Sequence, residues 1–478
     1  MVDEELFRLA EVCDLYSGRG SAPADPRLLV KLAVFEHCRG QTKPIQWHRD
    51  LSTNIEVQWL TFGMTVSKTT LYDFRDRVEP LLQQWNDQLV GYAVEQKLIA
   101  GRRGSLDGTT VAANASRRKL VNMRQIERRL SLLEQALAES TQTLLVWVIT
   151  TLDASLVPGW MAPTEAGKRE QHQRYLRVQQ RLALLLEQNS RRRKDKQRPV
   201  DKIVVSVNDP ESVFGLDKEK VYRPLYNVQT LSNVSSDMVL AYGVFAQHAD
   251  NGTLQWMVHR SVAAGAKLDA LLVDAGYPTG EDLAFCEQRG ITLYGPWQEN
   301  SFTQTKKRAD PSQAPIEKAQ FLWDAQRESY FCPTGRELPF SHQKTRQRAD
   351  GRTIRFDVHQ ASGSDCVGCD LHSRCTKAPE KGRTVRRDRH QDQIDALQTR
   401  METVEAKLLY RQRGQSIERV FGDFKEHRNL RRFRGRGIRR ARAQLGLTVL
   451  GHNLRIIHNL RQATISEPAN ENQTKTAT

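Results

Sequence analysis

The chain has 478 residues, more than one ordinary core accommodates, so two or three domains are expected. Hydrophobic residues make up 39%, enough for a sizeable core, while a mean hydropathy of −0.60 demands a surface rich in charge and excludes a chain built of membrane spans. Lys and Arg number 72 against 56 Asp and Glu, a net charge of +16; such a field draws polyanions, nucleic acid foremost, although a basic protein can also bind merely acidic surfaces.

The N-terminus, Met1-Val2-Asp3-Glu4-Glu5, lacks the basic start and apolar core of a signal peptide. The longest strongly apolar run, Leu144 to Leu152, is too short to span a bilayer, so a soluble, cytoplasmic protein without membrane contact is expected. Residues 1–100 read as a helical N-terminal domain. Leu28, Leu29, Leu32, Ala33 and Phe35 recur at helical spacing after the start signal Asp25-Pro26. Asn54 to Leu60 continues in the same style, Gly63 breaks the pattern, and Ser67 caps a further helix through Arg75. Helix, short glycine turn and helix opening on hydroxyl and basic residues is the shape of a helix-turn-helix DNA reader, and equally of any three-helix bundle.

Residues 101–300 read as the first part of an α/β core. Ser105 to Ala113 is a strand carrying Asp107. A polar helical hairpin is expected at about 117–199, with Leu130, Leu133, Leu137, Leu182, Leu185 and Leu186 at helical spacing. Strands follow at Ile203–Val207, Tyr226–Thr230, Met238–Phe245, Ala270–Asp274 and Ile291–Tyr294, with helices at Gly252–Ala264 and Glu281–Arg289. Residues 301–383 form a polar, cysteine-rich insertion with little helical periodicity, 384–462 return to helix, and 463–478 form a disordered polar tail.

Asp107 and Asp274 both sit on apolar strand segments, and chemistry in open α/β sheets gathers at the carboxyl edge of the strands. Clustered carboxylates repel until a cation neutralises them. Mg²⁺ prefers carboxylate and water oxygens, and two such ions can drive phosphoryl transfer. Farther on, Ile417, Val420, Phe421 and Phe424 form one apolar stripe, while Glu418 and Lys425, seven apart, share the other face of the same helix, with Arg411 if it runs back that far. Alone, this would be an ordinary amphipathic helix with solvated charges.

Three blocks taken together resemble the DDE transposases of bacterial insertion sequences: "SLDGTTVAANAS" with Asp107, "LLVDAGYPTGEDL" with Asp274 and "YRQRGQSIERVFGDFKEHRNLRRFRGRG" with Glu418. "VYRPLYNVQT" resembles a family strand between the first two acids. Tyr410, Arg413, Glu418 and Lys425 follow the order of the Tyr-Arg-Glu-Lys signature of one branch. Glu418 and Lys425 have the usual six residues between them, whereas Arg413 and Glu418 have four where the strict pattern has three. The resemblance implies an α/β, ribonuclease-H-like catalytic core with a helical N-terminal domain and inserted helical and cysteine-rich segments. It implies Asp107, Asp274 and Glu418 as catalytic ligands of Mg²⁺ (or Mn²⁺), metal-activated water cutting transposon ends, and attack of the freed 3′-hydroxyl on target DNA. Its partners are double-stranded DNA, namely terminal inverted repeats and target, with a homodimer assembled on the DNA in the bacterial cytoplasm. Asp209, in "NDPES", is the rival acid and reads as structural. The alternatives are a non-catalytic DNA-binding protein derived from a transposase, and a nuclease of the same fold without strand transfer.

From Arg419 to Arg442 there are ten Lys or Arg, most of them in the run "NLRRFRGRGIRRARAQ", which begins at Asn429. Arginine guanidinium groups grip phosphates bidentately, so Arg431, Arg432, Arg434 and Arg436, with Tyr410, Arg413 and Lys425, are the expected DNA contacts. Such contacts hold backbone and read no sequence. Of seven cysteines, Cys332, Cys366, Cys369 and Cys375 crowd together, two as a Cys-x-x-Cys pair and Cys332 in a Cys-Pro-Thr-Gly turn. Four thiolates suit a closed structural Zn²⁺ site, with His342, His359 and His372 as substitutes, set against four unmetallated thiols in a loop-rich insertion.

Overall fold

A computed structural model of the chain describes residues 10–16, 24–99, 102–143, 158–297, 315–347 and 353–466. The apolar run Leu144–Leu152 and the expected tail from Glu467 lie outside them. In chain order the main elements are α1 (Pro26–Cys38), α2 (Pro44–Thr53), α3 (Ile55–Leu60), α4 (Lys68–Glu95), β1 (Arg103–Ala112), β2 (Leu120–Val121), α5 (Met123–Thr143) and α6 (Glu165–Ser190). Then come β3 (Val205–Ser206), β4 (Val213–Leu216), β5 (Tyr222–Asn233), β6 (Val239–Phe245), α7 (Leu254–Ala263), β7 (Ala270–Val273), α8 (Gly280–Glu287) and β8 (Thr292–Tyr294). The chain continues through β9 (Leu322–Asp324), β10 (Ser329–Phe331), β11 (Glu337–Leu338), β12 (Phe340–Gln347), β13 (Thr353–Gln360), β14 (Thr384–Asp388), α9 (Gln391–Glu402), α10 (Val404–Gly422) and α11 (Ile438–Ser466). They divide into two compact units, one of Met1–Glu187, Arg198–Tyr277 and Leu408–Thr478, the other of Gln188–Gln197 and Pro278–Lys407.

Local chemistry sets the N-terminal helices of the first unit. Asp25 accepts from the backbone N–H of Arg27 at 2.9 Å ahead of Pro26, Asn54 accepts from Glu56 and Val57, and Ser67 accepts from Thr70 at 3.1 Å. Gly63, between α3 and α4, has a φ of +72° that other residues rarely adopt. These helices share a unit with a mixed sheet in which β5 lies antiparallel to β1, β4 and β6, and β7 joins β1 in parallel. α11 packs on α1, α4 and β6, and α7 on β5 and β6, which explains why β5 and β6 are buried nearly end to end. The main core joins Val111, Tyr226 and Val228 to Phe421, Phe424, Phe433 and Val449. The hairpin α5–α6 has its own core of Ile126, Leu133, Tyr175 and Val178 closed by Ile203 and Val205.

The second unit carries two three-stranded sheets, β11-β10-β9 and β12-β13-β14, around a small core of Ile316, Phe321, Tyr330, Leu338, Ala361 and Val385. The stretch 301–383 therefore holds strands that its polarity concealed, and 384–462 opens on a strand rather than a helix. The cause is visible in β12, exposed at every position: no alternation arises where neither face is buried. Elsewhere the strand expected at Ile203–Val207 shrinks to Val205–Ser206, and β5 extends well beyond Tyr226–Thr230. α10 ends at Gly422 in a π-helical turn, Asp423–His427.

Candidate active site

The parallel register of β1 and β7 sets Leu106 against Val273, so the residues that follow, Asp107 and Asp274, stand side by side. Each carboxylate is steadied by the next backbone N–H: Gly108 donates to Asp107 Oδ1 and Ala275 to Asp274 Oδ1, both at 2.7 Å. Arg413, on α10, answers the two negative charges. Its Nη2 lies 3.0 Å from Asp107 Oδ2 and 4.0 Å from Asp274 Oδ2. Burial pushes the Asp107 carboxyl up, Arg413 and the Gly108 N–H pull it down, and Asp274 adds to the rise. The net direction is upward, as expected of a carboxylate taken from water beside another acid. Tyr410, one turn before Arg413, lies in the field of the same groups, and burial pushes its phenol up.

A polar network adjoins the pair. The Tyr277 hydroxyl donates to Gln229 Oε1. Gln229 Nε2 donates to Asp250 Oδ1 at 2.6 Å and to Asn227 Oδ1 at 2.9 Å, and Asn227 Nδ2 donates to Asp250 Oδ1 at 2.8 Å. The Asp250 carboxylate stands so close to β1 that a Cβ on Gly108 would meet its Oδ1 at 2.5 Å. Sequence reasoning missed Asp250 and Tyr277. Ala249-Asp250-Asn251-Gly252 reads as a plain turn, and the one clue was Gly108, a glycine inside a strand where another group approaches closely.

The segment after α10 is tied to the same strand. Lys425 Nζ donates to Thr109 Oγ1 at 2.7 Å, two residues beyond Asp107. Burial, then Lys218 and Arg431, lower its ammonium pKa to about 8. The loop beyond it forms an isolated bridge, Ala112 to Arg432, and the Phe433 N–H donates to Ala112 O at 2.9 Å. Phe433 enters the core against Tyr226, while Arg432 and Arg436 stay exposed. Arg431 is exposed and bonded to Glu426, and Arg434 is half-buried with Nη2 donating to Asn429 Oδ1 at 3.0 Å. Asp209 anchors this loop from below: it accepts from the Tyr226 hydroxyl at 2.6 Å and from the Gly437 N–H at 3.2 Å.

The sequence candidates thus separate. Asp107, Asp274, Arg413 and Tyr410 come together, and Lys425 reaches the same strand. Arg413, expected to hold phosphate, is turned onto the two aspartates. Glu418 is exposed on α10, and among the described residues no three His, Cys, Asp or Glu side chains stand as an assembled metal shell. The face shared by Glu418 and Lys425 presumes unbroken α-helix; the π turn changes the register and carries Lys425 inward. In the second unit Cys332, Cys366, Cys369 and Cys375 line one small cavity with His372. Of the other histidines, His359 packs among the rings of Trp323, Tyr330 and Phe340, and His342 bonds Ser341. Among the described residues no helix is long and apolar enough to cross a membrane.

Residues 331–458 match a family described as a transposase DDE domain, and residues 1–77 match a transposase domain of otherwise undescribed role. No curated protein and no solved structure matches the chain. The first match spans α10, its π turn and the arginine loop, the segment that supplies Arg413 and Lys425 to the aspartate-bearing strands, and together with the second it supports a DDE transposase of insertion-sequence type.

Proposed function

We propose that this protein cuts DNA at the ends of a mobile element and joins the freed 3′ ends to target DNA, using divalent metal held by Asp107, Asp274 and Glu418. The observation that carries the reading is the pair Asp107–Asp274, brought level by parallel strands with one guanidinium between them. The strand order supports a ribonuclease-H-like core: β1, β5 and β6 run antiparallel in succession, and β7 returns parallel to β1 on its other edge. Two adjacent carboxylates, one of them half-buried, fit a hard dication. A pair of Mg²⁺ or Mn²⁺ ions, when bound, supplies an activated water or 3′-hydroxyl and neutralises the leaving oxygen.

The remaining work falls to the chain's own groups. The Gly108 and Ala275 N–H groups hold the carboxylates in place, and Arg413, with Tyr410 one turn before it on α10, offsets their charge. Lys425, clamped to Thr109, sets a cation two residues along β1 from Asp107, where a scissile phosphate needs one. Exposed Arg432 and Arg436 hold the flanking backbone. Glu418 stands outside the pair, and its place among the ligands rests on the sequence resemblance. Synapsis of two ends calls for two copies of the chain on DNA.

The test is cleavage and strand transfer on DNA carrying the ends that flank the gene, in Mg²⁺. Asp107→Asn is expected to lower cleavage about a thousandfold or more, with binding of the same DNA retained. Glu418→Gln is expected to do likewise. Equal nicking by wild type and Asp107→Asn overturns the assignment. Cleavage without joining of pre-cut ends would make the protein a nuclease, and binding alone would make it a DNA-binding derivative.

A further inference from the structure

Three separate pieces of the second unit bring thiols to one place. Cys332 follows β10 in a tight turn in which the Gly335 N–H donates to Cys332 O at 2.8 Å, with Gly335 at a φ of +81°. Cys366 belongs to the short helix Gly363–Val367, Cys369 follows just past its end, and Cys375 closes the short helix His372–Cys375. All four line one cavity of about 20 Å³. That is the room of a single atom-sized occupant, since one water needs roughly 10–15 Å³ by this kind of measure.

The surroundings are those of a thiolate centre. All four cysteines are free of disulfides and half-buried. Cys332, Cys366 and Cys375 pack against the unit's small core. The Arg383 N–H donates to Cys366 Sγ at 3.4 Å, and its guanidinium Nη1 donates to Cys375 O at 2.5 Å. An N–H aimed at sulfur and a cation beside it are what offset the net charge of four thiolates around one dication. A core of only six buried apolar residues under two sheets is the circumstance in which small folds take a metal.

We propose that Cys332, Cys366, Cys369 and Cys375 form a structural zinc site that staples the turn after β10 to the two short helices. All-sulfur tetrahedral sets select Zn²⁺ or iron among available metals, and a closed four-sulfur shell leaves no open position for catalysis. His372 bonds through Nδ1 to Cys369 O at 2.8 Å and serves as neighbour rather than ligand. Binding releases the four thiol protons to solvent. The sulfurs are gathered around the cavity without being closed to coordination distance, so metal content decides the question.

The test uses the full-length protein, purified reduced and dialysed against excess EDTA, with metal measured by mass spectrometry. One zinc per chain is expected, unchanged in Cys13→Ser and lost in Cys366→Ser and Cys375→Ser. Should those variants fail to fold, the wild-type protein suffices. Its exposed Cys13 should react at once with a thiol reagent, while the four cavity thiols react only as zinc is released, one ion for four sulfurs. Wild-type protein with less than about a tenth of a zinc per chain, iron in its place, a disulfide among the four, or cavity thiols that react as fast as Cys13 would each overturn the proposal.

Discussion

Glu36 and His37 are neighbours on α1, and burial moves them in opposite directions. The Glu36 carboxyl is pushed up to about 7, by burial first and then by Asp50, with Arg39 only partly offsetting. His37, fully buried, is pulled down to about 4, its Nδ1 bonded to Ala33 O at 2.8 Å. Between about pH 4.5 and 7 the folded state therefore binds more protons at Glu36 than the unfolded state does. That contribution is complete below pH 4.5 and is lost as pH rises through 7. His37 works the other way: the folded state refuses a proton, and stability is lost as pH falls from about 6.5 toward 4. Glu36→Gln keeps the protonated shape at every pH, so its melting temperature should match wild type near pH 4.5 and exceed it by a few degrees at pH 8.5; equal melting at pH 8.5 would refute the assignment. Residues differ in how far the sequence discloses them for the same physical reason. Asp107, inside an apolar strand, and Asp274, just past the end of one, are conspicuous as acids, whereas Asp250, bonded into the same neighbourhood, sits in a polar turn where acids are commonplace.

At the scale of elements, β1 carries most of the site: Asp107, then Gly108 against the Asp250 network, then Thr109 under Lys425, then Ala112 bridged to the arginine loop. A Cβ at Gly108 would meet Gln229 Nε2 at 2.2 Å and Asn227 Oδ1 at 3.0 Å as well as Asp250. These are side-chain tips, but each is held by the others, so none can swing away without breaking a bond. Gly108→Ala should cost about 1–3 kcal/mol in urea unfolding, while Gly159→Ala, with open space around it, should be neutral. Equal stability of the two variants would show the network to be loose. Strands buried on one or both faces announced themselves, as β7 and β6 did. β12 was invisible because it is polar on both faces, and the π turn was invisible because local sequence does not record where a helix takes up an extra residue.

The whole molecule has a charge of +16, and the arginine loop presents part of it. If six or more phosphates are engaged, affinity for duplex DNA should fall about a thousandfold or more between about 50 and 200 mM salt. Arg432→Ala and Arg436→Ala should each flatten that dependence by about one unit of slope, equally for all sequences; binding indifferent to salt would exclude a phosphate track. The first unit is also assembled from distant stretches of chain: the aspartates lie before Tyr277, while Arg413, Lys425, Phe421, Phe424 and Phe433 follow Leu408. At about 5–20 residues per second, the ribosome delivers β7 on the order of ten seconds before the helix that answers it. Until then Val111, Tyr226 and Val228 lack their apolar cover and Asp107 lacks its guanidinium. A chain cut short anywhere before α10 thus keeps an uncovered sheet, and limited proteolysis is expected to degrade it faster than the full chain.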